Sequence, residues 1–232
     1  LSLSLGSTET TLLKLTSAYS AFINGGKLVE PILIDRVQDS EGNTILNNDK
    51  RSCVNCNQIS YLSDDYPKID DKYEKVFSPQ TAYQITSLLE GAIQRGTGKK
   101  LKDLRLNLAG KTGTTNENTD AWFIGYTSNL VVGVYVGMDN PSPLGKFETG
   151  SKTALPIFKN FVKKAVKKYD ARPFKVPDGI TMMVIDPTNG QKAKFTSKNT
   201  IVESYKSENI VNGSVQHLNY DRLDTNNILK FY

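Results

Sequence analysis

The 232 residues of this chain suffice for one large domain or two small ones, and 38% hydrophobic with 23% charged residues is the balance of a globular protein with a real core. No apolar run approaches the roughly 18 residues of a membrane span; the longest, Leu130 to Val136, is interrupted by Gly133. The net charge of +5 gathers in clusters such as Lys163, Lys164, Lys167 and Lys168, which read as a solvated helix face, and no nucleic-acid motif accompanies them. A single histidine, His217, argues against a Ser-His-Asp triad and a multi-histidine metal site. Nothing in the sequence implies a metal or organic cofactor, and none is expected.

Leu1 to Gly6 has neither a basic region nor an extended apolar core, so it is not read as a signal peptide. Leu12, Leu15, Tyr19 and Phe22 then fall at helical spacing, after capping candidates Ser7 and Thr8 and before Gly25-Gly26, which predicts a buried helix over 9–24. Pro31 to Val37 and Thr44 to Leu46, around Ser40-Glu-Gly-Asn43, predict a β-hairpin. From Asn47 to Lys72 the pattern dissolves into polar residues, as in a surface insertion. Inside it, Cys53-Val-Asn-Cys56 has zinc or redox spacing, but two cysteines with no nearby histidine cannot complete a zinc site. A local disulfide or two spare thiols remain, the disulfide being favoured outside the cytoplasm.

Ser78-Pro79 opens a second helix, with Ala82, Ile85, Leu88, Leu89, Ala92 and Ile93 on its inner face and Gly96-Thr-Gly98 as its stop. Leu106 and Leu108 alternate into Ala109-Gly-Lys-Thr-Gly-Thr-Thr115, followed by strands over 121–126 and 130–138, an antiparallel meander. A third helix presents Leu155, Phe158, Phe161, Val162, Ala165 and Tyr169 inward, with lysines in its last turn, where they suit the helix dipole. Ile180 to Asp186 with a turn over 187–190 predicts one more small hairpin, and beyond Lys192 the chain is polar and weakly periodic.

The chemistry concentrates at Lys111-Thr-Gly-Thr114. Lys111 offers a point charge with three donors, Thr112 and Thr114 offer hydroxyls on one side of a strand, and Gly113 lets a ligand approach the backbone. A phosphate-binding loop would need a glycine where Arg105 stands and a helix afterwards, and both are missing. The Lys-Thr-Gly element of serine penicillin-interacting enzymes fits, as does a plain hairpin with a polar mouth.

The flanks bring in more motifs. Leu5-Gly-Ser, Phe22-Ile-Asn-Gly-Gly26, Gly96-Thr-Gly98, Asp120-Ala-Trp-Phe-Ile-Gly-Tyr126, Gly133 to Asn140, Ala154-Leu-Pro-Ile-Phe158 and Val176-Pro-Asp-Gly-Ile180 stand in one order around Lys-Thr-Gly. Together they resemble the C-terminal half of a bifunctional class A penicillin-binding protein over most of residues 1–190, the insertion excepted.

That resemblance implies a mixed α/β (α+β) fold, an antiparallel sheet flanked by helices with three of the family's five strands present. Residues 1–173 would be the C-terminal half of the transpeptidase domain, with the insertion at 47–72, and residues 174–232 a C-terminal extension. It implies a serine acyltransferase that cross-links peptidoglycan stem peptides and is trapped by β-lactams, in a protein that also carries a glycosyltransferase. Its partners would be stem peptides, β-lactams and an upstream part of the same protein. The setting would be the periplasmic side of the inner membrane, with the anchor upstream and no membrane segment here.

Carried onto this sequence, Lys111 and Thr114 are catalytic candidates. Thr112, Gly113, Thr114 and Thr115 are substrate-binding candidates, with the Thr114 N–H as half of an oxyanion hole. Asp120 and Trp122 are expected to be scaffolding, and Cys53 and Cys56 a disulfide without a catalytic part. The family's nucleophile motif, Ser-x-x-Lys, occurs nowhere, and Ser-x-Asn occurs only at Ser197 and Ser207, after Lys-Thr-Gly. Thr11-Leu-Leu-Lys14 is a formal hydroxyl variant in a helix. The chain is therefore expected to be one wall of an active site whose nucleophile lies elsewhere, and to be inactive alone. The rival reading is a non-catalytic wall-binding or scaffold module.

Overall fold

A computed structural model describes residues 8–49, 51–56, 67–70, 72–165, 172–197, 199–211 and 214–215. Two compact units divide the chain, Leu1–Lys175 and Val176–Tyr232.

The first unit is a mixed α/β arrangement. Helix α1 (Leu12–Ile23) starts at Thr11, whose hydroxyl accepts the N–H of Lys14 at 3.2 Å and so satisfies a first-turn donor. The cap thus lies later than Ser7, which is outside the described residues, or Thr8. Only Ala21 is fully buried, so the helix lies on the surface of the core and is less buried than expected. The first hairpin, β1 (Arg36–Gln38) with β2 (Thr44–Asn47), starts later than predicted: Ile32 to Ile34 are exposed and outside the ladder, with the Ile34 carbonyl accepting the Asn48 side chain at 2.6 Å. In the insertion, β3 (Cys53–Val54) pairs with β4 (Lys68–Ile69), and Cys53 is disulfide-bonded to Cys56.

Helix α2 (Pro79–Gln94) begins at Ser78, whose hydroxyl accepts the Thr81 N–H at 3.1 Å, with Pro79 at the first helical position. Its buried face is Ala82, Tyr83, Thr86 and Ile93, while Leu88 is exposed. Counting apolar positions misses Thr86, which is buried because it meets a tyrosine hydroxyl: Thr86 donates to the Ala82 carbonyl at 3.0 Å and lies 3.1 Å from the Tyr126 oxygen. A 3-10 helix (Lys99–Leu104) follows α2; beyond it Leu106 is half-buried and Leu108 buried, as their alternation implies, but the strand starts only at Ala109.

The central sheet has three antiparallel strands in the order β5 (Ala109–Thr114), β6 (Ala121–Tyr126), β7 (Val131–Val136). Cross-strand register places Lys111, Ile124 and Gly133 on one face and Thr112, Phe123 and Val134 on the other. Helix α1 covers the first face; a methyl on Gly133 would strike Thr16 and Leu12. Helix α3 (Ala154–Ala165) covers the second, with Phe158 against Phe123 at 4.7 Å between ring centres. The main core forms there from Ile93, Leu101, Leu108, Ala121, Phe123, Ala154, Leu155, Phe158 and Val162. Phe161, expected inward, is half exposed because the buried stripe runs through Ala154, Leu155, Phe158 and Val162; Tyr169 lies outside the described residues.

In the second unit, β8 (Ile180–Ile185) pairs with β9 (Ile201–Lys206), so the strand that completes the hairpin lies in sequence expected to be irregular. The turn after Asp186 does form, and directly after it Ile185 bridges Lys192 and the Ala193 N–H donates to the Val184 carbonyl at 2.9 Å.

Candidate active-site wall

Strand β5 presents a free edge, since β6 lies on one side and no strand pairs with the other among the described residues. Which groups face that edge follows from one hydrogen bond: the Thr115 N–H donates to the Asp120 carbonyl at 3.2 Å. Bonded and unbonded pairs alternate along an antiparallel ladder. Gly113 with Trp122 and Lys111 with Ile124 are therefore the next bonded pairs, and Thr112 and Thr114 turn both N–H and C=O to the free edge. The Lys111 ammonium donates to the Thr112 carbonyl at 2.9 Å, which brings it to the same edge. No carboxylate pairs with Lys111 among the described residues, so its charge is available to an anion.

The two threonine hydroxyls lie on the α3 face and are held from outside the strand. Thr112 is 2.8 Å from the Thr97 hydroxyl, in the glycine pair that ends α2. Thr114 accepts the N–H of Gly150 at 3.1 Å, from the loop before α3, and its own proton is uncommitted among the described residues. Neither Thr97 nor Gly150 was singled out as a site residue in the sequence; Thr97 stood there as part of the helix stop and of the Gly96-Thr-Gly98 motif, with no role of its own. Gly113 has a second reason to be glycine, because a β-carbon there would stand 3.1 Å from the Trp122 β-carbon, tighter than ordinary packing.

Thr115, by contrast, uses its hydroxyl within the turn: it accepts the Asp120 N–H at 2.8 Å and lies 2.7 Å from the Thr119 hydroxyl. Asp120 accepts the Tyr135 hydroxyl at 2.8 Å, which pushes the tyrosine pKa up and ties the start of β6 to β7. Trp122, half-buried, packs on Tyr135 with ring centres 4.6 Å apart. Cys53 and Cys56 belong to the insertion, with their Cα atoms 5.7 Å apart. Thr11 spends its hydroxyl as the α1 cap, and Ser207 lies in the second unit. No group of three or more potential metal ligands occurs among the described residues.

The edge thus gathers an ammonium, two hydroxyls and two outward N–H groups, a set that can hold a carboxylate and stabilise an oxyanion. Penicillin-binding protein 1A of Rickettsia felis is 44% identical over 213 residues, covering 90% of this chain and 26% of the relative. That of Pseudomonas aeruginosa is 32% identical over 237 residues, covering 89% and 29%. The crystal structure of penicillin-binding protein 1A from Haemophilus influenzae matches with a TM-score of 0.73 at 30% identity, over 89% of this chain and 33% of that one. The chain accordingly spans less than a third of the length of the two curated relatives. The penicillin binding protein transpeptidase domain matches residues 1–163, with Lys-Thr-Gly and the whole central sheet inside that span, and the chain belongs to this family of transpeptidase domains.

Proposed function

We propose that this chain supplies the β5 wall of the active site in a serine D-Ala-D-Ala transpeptidase that cross-links peptidoglycan stem peptides and is acylated by β-lactams. The single observation that carries the reading is the shared edge: the Lys111 ammonium and the outward backbone of Thr112 and Thr114 meet there. The Thr112 and Thr114 hydroxyls bind the terminal carboxylate of the donor peptide, and Lys111 adds charge. As the serine oxygen attacks the penultimate D-Ala carbonyl, the Thr114 N–H takes up the negative charge that develops on its oxygen. The C–N bond then breaks, the terminal D-Ala leaves, and an amine of a second peptide resolves the ester. The nucleophile is the serine of a Ser-x-x-Lys segment outside these 232 residues, and the setting is extracytoplasmic.

The lack of Ser-x-x-Lys also favours a second reading, a wall-binding module without chemistry. Lys111→Gln in a longer protein that contains such a segment separates them. Loss of a charge-assisted contact should slow penicillin acylation by about tenfold or more. An unchanged rate contradicts the role of Lys111, and a parent protein that binds wall peptide but is never acylated supports the module.

A further inference from the structure

Between the 3-10 helix and the start of α3 lies an open cleft of about 550 Å³ with lysines on both walls. One wall is the 3-10 helix Lys99–Leu104, in which side chains three apart eclipse. Lys99 and Lys102 therefore rise together, while Leu101, 1% exposed, anchors the helix in the core. The other wall is the start of α3, with Leu155 and Pro156 as an apolar floor and Lys159 beyond them.

The charges do not balance. Among the described residues Asp103 is the one carboxylate lining the cleft, and it is taken by Lys159 at 2.6 Å, which holds its carboxyl below the ordinary range. Lys100 reaches only the Ser151 carbonyl, at 3.4 Å, and Lys99 and Lys102 form no ion pair among the described residues. Lys99, Lys100 and Lys102 thus line one concave, partly apolar surface, with no free carboxylate to balance Lys99 and Lys102 among the described residues.

Both walls continue into the proposed carboxylate clamp. The lysine helix follows Thr97, whose hydroxyl meets Thr112, and Ser151 follows Gly150, whose N–H meets Thr114. We infer that the cleft is a second anion subsite, taking an internal carboxylate of the wall peptide whose terminal carboxylate is held at Thr112 and Thr114. This rests on the transpeptidase reading above and specifies its substrate as an acidic peptide.

The test uses a full-length protein that carries Ser-x-x-Lys and two synthetic peptides ending in D-Ala-D-Ala, identical except that the internal acid of one is amidated. Lys99→Gln with Lys102→Gln should raise KM for the acidic peptide about fivefold, two partly exposed charges being worth a factor of two or so each. KM for the amidated peptide should not move, and Lys99→Arg with Lys102→Arg should restore the parental value. Unchanged melting temperature shows that the exposed substitutions leave the fold intact. Equal KM changes for the two peptides, or none, overturn the subsite. Penicillin acylation of the parent protein in the same preparation reports on the transpeptidase reading by itself. Its absence defeats that reading, whereas acylation with a KM blind to peptide charge defeats only the subsite.

Discussion

The hydroxyl of Thr114 accepts the backbone N–H of Gly150 at 3.1 Å, a contact between residues 36 apart in sequence. It fixes the rotamer of a side chain at the sheet edge and leaves its proton to donate. Accepting one hydrogen bond also strengthens the one donated. In a protein containing Ser-x-x-Lys, Thr114→Ala should slow penicillin acylation while leaving the fold intact, because it removes a donor worth about 1.5–3 kcal/mol to a charged ligand. Equal acylation rates in variant and parent would remove Thr114 from the site.

Gly150 is fixed by the same contact. A β-carbon there would lie 2.4 Å from the Trp122 carbonyl and 2.5 Å from that of Gly113, both backbone atoms of the sheet. Gly150→Ala should therefore destabilise the domain by about 1–3 kcal/mol, as overpacking does, and displace the loop that holds Thr114. Thermal denaturation of variant and parent measures it, and an unchanged midpoint would mean that the loop can lift away without cost.

A third expectation concerns Thr86 and Tyr126, both buried and 3.1 Å apart. Since the Thr86 hydroxyl donates to Ala82, the Tyr126 hydroxyl is the donor between them. Thr86→Val strands a buried phenol and should cost about 1–3 kcal/mol, whereas Tyr126→Phe loses only a net bond of about 0.5–1.5 kcal/mol. Denaturant titration giving the reverse order would overturn that donor assignment.

Much of this arrangement was legible in the sequence where local chemistry decided it. Ser78-Pro79 announced the start of α2, and the apolar run from Ala121 to Tyr126 fell on β6 from end to end. Lys-Thr-Gly pointed to a strand edge because an ammonium, hydroxyls and glycines have no business in a core. Thr97 and Gly150 stayed hidden because their roles depend on residues 15 and 36 positions away that only the tertiary fold brings near. Strand β9 was missed because Glu203, Ser204 and Lys206 dilute its apolar residues; its partner β8, and no pattern of its own, defines it. The buried face of α2 was misjudged at Leu88 for a related reason. A threonine bonded to a tyrosine can replace a leucine in a core, and a hydropathy pattern cannot register that.

Glu90 gives a pH-dependent expectation. It is half-buried on α2, and desolvation raises its pKa from 4.5 to about 7. The folded state therefore binds this proton more tightly than the unfolded chain does. The associated stability is fully present below the unfolded value and is lost as pH rises through about 7. Glu90→Gln should flatten that decline and leave the variant more stable than the parent above neutral pH. Melting curves from pH 4 to 9 that run parallel for the two proteins would rule out the raised pKa.

The most direct test of the central claim is the intact mass of the 232-residue chain after incubation with penicillin, beside the same residues within a longer protein that includes a Ser-x-x-Lys segment. Acylation needs a hydroxyl with a base in hydrogen-bond reach. No serine here has the lysine spacing to provide that, and Thr11 is committed to capping α1. The longer protein should gain the mass of one antibiotic and the short chain none, although the short chain can still bind the drug weakly through Lys111, Thr112 and Thr114. A stable mass increase on the short chain would contradict the account, because a nucleophile would then lie within these residues.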